Sequence, residues 1–252
     1  MRDYEGKKAV VVGGTHGMGL AVVKQLLAGG AEVLLTGSNE KNVIAAREEL
    51  GDGIWAVQSD VTDRNAIAQL RSSVESNLGQ IDYLHVNVGV AAVAPFEEVT
   101  EEAYDWMFNT NTKGAFFTVQ ALAPLISQGG AVTFTTAVTN GMGSPTMSVY
   151  SGTKAAVLAF AKVLAAEFLP RGIRVNTVAP GFIDTPTMGF VHASAEERAQ
   201  LMAVGDEVTP MKRHGTVDEV ARAALFLAFA ATFTTGIELP VDGGLGHVEI
   251  PQ

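Results

Sequence analysis

Lys8–Gly19 reads K-A-V-V-V-G-G-T-H-G-M-G and runs directly into the apolar-periodic stretch Leu20–Ala28. A short β-branched run with no polar alternation fits a strand buried on both faces, as in a parallel sheet. Glycines at 13, 17 and 19 follow it, with Gly14, Thr15, His16 and Met18 between them, and a helical pattern follows the glycines. A strand, a glycine turn and a helix in that order let backbone approach a pyrophosphate closely. The helix N-terminus then offers N–H donors and the positive end of its dipole. This placement predicts a nucleotide site at the first strand-to-helix turn.

The same rhythm continues along the chain. Strands are expected at Glu32–Thr36, Ile54–Gln58, Ile81–Val86, Ala131–Thr136, Arg174–Ala179 and Ile237–Val241. Helical spacing is read over 39–50, 66–78, 102–126, 150–169 and, from the capping box Thr216-x-x-Glu219, to about Ala231. Alternation of this kind predicts an α/β fold: a doubly wound parallel sheet of about seven strands with helices on both faces. No repeat or linker divides the 252 residues, so one domain over 1–252 is expected.

Composition narrows the function. The chain is 47% hydrophobic with a formal net charge of −10. That charge disfavours nucleic acid and anionic membrane surfaces as partners. No cysteine is present, which excludes disulfides, thiolate metal sites and a cysteine nucleophile. No histidine pair has metal spacing, so no metal is expected. The longest late apolar run, Ala223–Phe233, is short of the ~20 residues that span a bilayer, and the first apolar run is too short for a signal peptide core. A cytoplasmic protein is expected.

In a sheet of this class, ligands bind outside the carboxyl ends of the strands. Ser38 and Asn39, Asp60 and Val61, Asn87 and Gly89, Ala137, and Pro180–Thr185 all fall there. Ser148–Lys154, S-V-Y-S-G-T-K, opens the helix after the fifth strand and puts Tyr150 and Lys154 on one helical face. A cation beside a phenol, which ordinarily titrates near pH ~10, lowers its pKa and suits it to proton exchange with an alcohol or carbonyl oxygen.

Together these blocks resemble the short-chain dehydrogenase/reductase family in its shorter, single-domain form. The resemblance runs from Lys7 to Gly244. It rests on the glycine turn, Asp60-Val61, Asn87-Val88-Gly89, Asn111, Tyr150-x3-Lys154, Pro180-Gly181 with Thr185, and Val241-Asp242-Gly243-Gly244. It implies a Rossmann-type domain binding NAD(P)(H), with Tyr150 as general acid/base and Lys154 on the nicotinamide ribose. Asn111 would anchor a proton-relaying water. Asp60 and Val61 would touch the adenine, and Ile183 and Thr185 would flank the nicotinamide carboxamide. The second strand ends at Gly37 with no carboxylate to bind ribose hydroxyls, which favours NADP(H) over NAD(H). Ser38, Asn39, His16 and Lys41 would bind the 2′-phosphate, less firmly than an arginine fork.

One position departs from the family. Thirteen residues before its tyrosine the family carries a serine that donates to the substrate oxygen; here Ala137 stands in Thr135-Thr136-Ala137-Val138-Thr139. Losing such a donor costs ~10²–10³ in rate. Three explanations are open: a substitute hydroxyl, an engineered Ser→Ala change, or chemistry other than carbonyl reduction. Thr136 points to the other strand face and Thr135 lies ~6–7 Å back, so Thr139 or Ser148 is the better substitute.

Residues 182–213 are expected to cover the substrate, with a short helix over 195–204. Met188, Phe190, Met202 and Met211, with Met142 and Met147, suggest an apolar, moderate-sized ketone or alcohol if they line the pocket. His192 and His214 read as loop residues. The resemblance implies a homodimer or homotetramer built on the helices at 102–126 and 150–169.

Overall fold

The structure is a computed structural model that describes residues 3–51, 53–186 and 195–248. Its centre is a sheet of parallel strands. They are β1 (Lys8–Val12), β2 (Glu32–Gly37), β3 (Ile54–Gln58), β4 (Ile81–Val86), β5 (Ile126–Thr135), β6 (Arg174–Pro180) and β9 (Glu238–Val241), in the order β3-β2-β1-β4-β5-β6-β9. A two-residue parallel pair, β7 (Ile183–Asp184) with β8 (Gly215–Thr216), lies outside this sheet. β1 pairs with β2 on one side and β4 on the other, so the strand order reverses direction beside it. That is the switch point at which a doubly wound sheet opens a crevice.

Strand alternation sends the sheet's side chains to two cores. Val11, Val33 and Leu35 pack with α1 (Gly17–Ala28), α2 (Glu40–Leu50) and α8 (Val217–Leu225). Val10, Val12, Leu84 and Val86 pack with α3 (Arg64–Asn77), α5 (Ala115–Leu122) and α6 (Ser148–Phe168). The remaining helices are α4 (Glu101–Met107) and α7 (Ala195–Val208). Among the described residues, no helix is long and apolar enough to cross a membrane.

Three expectations need correction. The continuous helix over 102–126 is broken into α4, a π-helical stretch Phe108–Gly114, α5 and a 3-10 turn Ala123–Leu125. Gly114 presses so close to Val61 that a Cβ there would lie 2.6 Å from the valine Cγ2, and Pro124 brings no N–H to continue the ladder. Ile126 belongs to β5, which starts before the expected Ala131 and passes Gly129 in a left-handed turn of backbone, φ +78°. The capping box at Thr216 and Glu219 is present, but the α-helix it opens gives way at Phe226 to a π-helical turn ending at Ala230. There the Arg174 guanidinium takes the carbonyls of Leu227, Ala228 and Ala231, holding the widened turn.

Candidate active site

Gly13–Gly19, Asn87, Gly89, Ala137 and Lys154 gather at the C-terminal edge of β1, β4 and β5. Gly13 and Gly14 both donate their N–H to the Thr36 carbonyl, at 3.1 and 2.9 Å, which turns the chain sharply off β1. Gly13 has φ +79°, and a Cβ on it would lie 3.1 Å from the Asn87 carbonyl oxygen. A Cβ on Gly19 would collide with the Gly13 carbonyl oxygen. Asn87 closes the turn from the next strand, donating from Nδ2 to the Gly13 carbonyl at 3.2 Å. Beyond the turn, α1 begins after His16 with no side chain capping its first N–H groups and no acidic residue in its first turn. Uncapped donors at the positive end of a helix dipole, behind a cradle that side chains would fill, fit the pyrophosphate of a dinucleotide. Thr15 is buried, its hydroxyl 3.2 Å from the exposed His16 ring, and Thr185 lies across from Gly17.

Ser38 and Asn39 are exposed just past β2. Asn39 accepts from the Asn42 N–H and so caps α2. Asp60 is exposed and turns its carboxylate onto Thr62, 2.8 Å from both its N–H and its hydroxyl. Val61 is buried against Gly114. Pro180 ends β6, Gly181 donates to the Val241 carbonyl at 3.0 Å, and Ile183 is buried in β7.

Tyr150 and Lys154 lie in the first turns of α6, facing the ends of β4 and β5. Lys154 is 3% exposed, and its Nζ donates to the carbonyls of Thr135 at 3.0 Å and Val88 at 3.3 Å. Gly89 is bare where a Cβ would come 2.9 Å from that Nζ. Burial pulls the lysine down to about 8. The tyrosine differs from expectation: its hydroxyl is pushed up to about 12 by burial. Lys154 is aimed at backbone carbonyls and stands 5.8 Å from the centre of the Tyr150 ring, so desolvation outweighs its pull on the phenol.

Asn111 is buried in the π-helical stretch. Its Oδ1 accepts from Val90 N–H at 2.7 Å, and its Nδ2 donates to the Val90 carbonyl at 2.8 Å and to Thr153 Oγ1 at 3.0 Å. Thr153 in turn donates to the Tyr150 carbonyl at 2.7 Å. One amide thus ties the loop after β4 to the helix that carries Tyr150. Thr153 was not singled out from sequence, although its place between the tyrosine and the lysine was the available signal.

Ala137 follows β5 in extended conformation and is 6% exposed. Both threonines before it are engaged. Thr135 donates to Asn87 Oδ1 at 2.9 Å, and Thr136 bonds the Val178 carbonyl and the Glu238 carboxylate on the other face. The Thr139 hydroxyl is buried with no partner among the described residues. Ser148 is exposed at the mouth of a cavity of about 180 Å³, whose walls include Val93, Val99, Met107 and Val149. Met188, Phe190 and His192 lie outside the described residues. His214, read as a loop residue, is buried, with Nδ1 2.7 Å from Asp206 and its ring against Phe182. Among the described residues, no three His, Asp or Glu side chains are grouped to hold a metal ion.

A family model described as "Enoyl-(Acyl carrier protein) reductase" matches residues 12–246. The chain is 35% identical to an oxidoreductase of Sarocladium schorii over 96% of this chain and 97% of that protein. It is 33% identical to gluconate 5-dehydrogenase of Gluconobacter oxydans, covering 96% of each. The crystal structure of a short-chain type dehydrogenase/reductase from Mycobacterium marinum superimposes with a TM-score of 0.88 at 26% identity, over 97% of both chains. With the parallel sheet, the glycine turn and the Tyr150/Lys154 pair, these likenesses place the chain in the short-chain dehydrogenase/reductase family, whose members use NAD(P)(H).

Proposed function

We propose that the chain is an NADP(H)-dependent oxidoreductase that interconverts a ketone and a secondary alcohol on an apolar, moderate-sized substrate. The observation that carries this reading is the Tyr150/Lys154 pair on α6, set over the ends of β4 and β5 beside the glycine turn. The bound dinucleotide supplies or accepts the hydride. Gly13–Gly19 and the N-terminus of α1 hold its pyrophosphate, while Pro180, Gly181, Ile183 and Thr185 border its nicotinamide end. In the reducing direction Tyr150 gives its hydroxyl proton to the carbonyl oxygen as that oxygen becomes an alcohol. Lys154 carries three N–H donors, and two are held by carbonyls. The third is available to the ribose. Asn111 has its amide committed to Val90 and Thr153, so it would hold a relay water through its backbone carbonyl.

NADP(H) is preferred because nothing at the end of β2 repels a 2′-phosphate. A Cβ at Gly37 would lie 2.5 Å from Thr15 Cγ2, which leaves little room for a carboxylate there. The substrate's apolar part would enter the cavity by Val149 and Met107. Like the family at large, the chain would assemble as a homodimer or homotetramer, as one nucleotide-binding domain per copy.

Thr139 supplies the missing substrate donor: its buried hydroxyl has no partner among the described residues, and such a group is costly unless a ligand uses it. A second reading, a non-redox isomerase, lyase or cofactor-binding sensor, rests on Ala137 alone. Ala137→Ser and Thr139→Val separate the two when NADPH absorbance is followed over cyclic and aromatic ketones. Activity in the parent that falls ~10²–10³-fold in Thr139→Val supports the substitute donor. A gain of that size in Ala137→Ser marks a weakened reductase instead. No oxidation by any form, despite tight NADPH binding, supports the non-redox reading.

A further inference from the structure

β4 is flanked by β1 and β5 and covered by helices, yet it carries Tyr83 and His85, both 0% exposed. Alternate residues share a strand face, so Tyr83, His85 and, one step past the strand, Asn87 stand in a row. His85 lies level with Thr133 on β5, and Thr135 follows on the same face. The row is joined by hydrogen bonds: Tyr83 Oη to His85 Nδ1 at 3.0 Å, His85 Nε2 to Thr135 Oγ1 at 3.5 Å, Thr135 Oγ1 to Asn87 Oδ1 at 2.9 Å, and Asn87 Nδ2 to the Gly13 carbonyl at 3.2 Å.

Counting hydrogens fixes the direction of every link. Asn87 donates to Gly13 through its amide nitrogen, so its oxygen must accept, and the single Thr135 hydroxyl proton goes to it. Thr135 then has only lone pairs for His85, which must carry its proton on Nε2. Nδ1 is left bare and accepts from Tyr83. All four links therefore point towards the glycine turn, an arrangement in which each bond polarises the next. Burial drives the His85 pKa down to about 3, outweighing the Thr133 backbone carbonyl, which favours the charged ring, so the ring is neutral. The same Thr135 offers its backbone carbonyl to Lys154.

We propose that His85 is a positioning residue for dinucleotide binding, acting through Thr135 to fix the Asn87 amide that holds the Gly13 turn. This rests on the dinucleotide reading of that turn and is independent of the substrate, the direction of reaction and the NADP(H) preference. With the imidazole replaced by an alkyl group, Thr135 loses its donor and can rotate. The Asn87 amide is then no longer held in the one orientation that serves Gly13.

The test is calorimetric titration of the full chain with NADPH and NADH, with thermal unfolding recorded on the same samples. His85→Leu is expected to raise the Kd of the tighter dinucleotide about tenfold, the loss of roughly one effective hydrogen bond. Thr135→Val should match it, and the double variant should be no weaker than either single. His85→Gln, which keeps an N–H towards Thr135, and Thr135→Ser should bind like the parent. A role confined to stability would lower the melting temperature and leave the Kd of the folded protein alone. A His85→Leu protein that is folded and binds within about twofold of the parent overturns the proposal, as do single losses that multiply in the double variant. Should His85→Leu not fold, Thr135 decides: weak Val with intact Ser supports the proposal, and two parent-like variants overturn it. A parent that binds neither dinucleotide fails the nucleotide reading itself, a result distinct from an unaffected His85→Leu.

Discussion

Ser38 is exposed immediately after β2, with its carbonyl held by Gln58 Nε2 at 3.0 Å, so its side chain can be exchanged without disturbing the strand. Ser38→Asp brings a carboxylate to the place where a 2′-phosphate would sit. Calorimetry should show the parent binding NADPH more tightly than NADH, and the variant should reverse that order. An unchanged order would move the phosphate contact away from Ser38. Lys154 yields a second residue-scale outcome. Its pKa falls from 10.5 in the unfolded chain to about 8 in the folded one. Between those values the unfolded state binds more protons, so this group makes stability rise with pH across pH 8 to 10.5, and its contribution is lost as pH falls through 8. Lys154→Met removes this contribution. Its melting temperature should rise less than the parent's over that window, and identical slopes would mean the lysine titrates normally. Tyr150 acts in the opposite sense at higher pH, from its usual 10 up to about 12, so the Lys154 comparison belongs below pH 10.

At the scale of elements, the glycine turn leaves no room for a side chain at Gly19. Gly19→Ala drives a Cβ into the Gly13 carbonyl, a backbone atom with no rotamer to escape by. Overpacking of this kind costs about 1–3 kcal/mol, and the turn must open to relieve it. The expected outcome is a lower melting temperature together with loss of detectable dinucleotide binding; retention of both would show the turn to be more pliant than its contacts imply. This element was readable from Lys8–Gly19 because strand, glycines and helix are local signals. So was the helix bearing Tyr150 and Lys154. The break in 102–126 was legible only at its end, where Pro124 stands in the sequence; the π-helical stretch has a tertiary cause, Gly114 against Val61 and Asn111 clamped to Val90 and Thr153, contacts across long stretches of chain. The early start of β5 was hidden in the same way, because Ser127–Gly130 carries no strand pattern and Ile126 joins through its partner Ile81. His85 was visible as a polar residue inside an apolar run, but only the fold brings Thr135 beside it.

For the whole molecule, apolar side chains left outside the two cores are the main feature. On and beside α4 and α6, Phe96, Tyr104, Trp106 and Val163 are all exposed. Exposed apolar side chains on helices are the material of association surfaces. Light scattering at micromolar concentration should give a dimer or tetramer, and a monomer would sink that expectation. Val163→Glu on α6 should shift the distribution towards smaller species without touching the glycine turn.

The position of β1 at the switch point also bears on how the chain comes into being. Synthesis delivers β1 and β2 early, and the two can pair as soon as α1 has folded between them. The opposite edge of β1 must wait for β4, and at ~5–20 residues per second that wait lasts seconds. Throughout it, Ala9–Val12 presents a bare, alkyl-rich edge of the kind that recruits foreign strands. The strand that completes the ligand crevice is therefore also the one that covers this edge of β1.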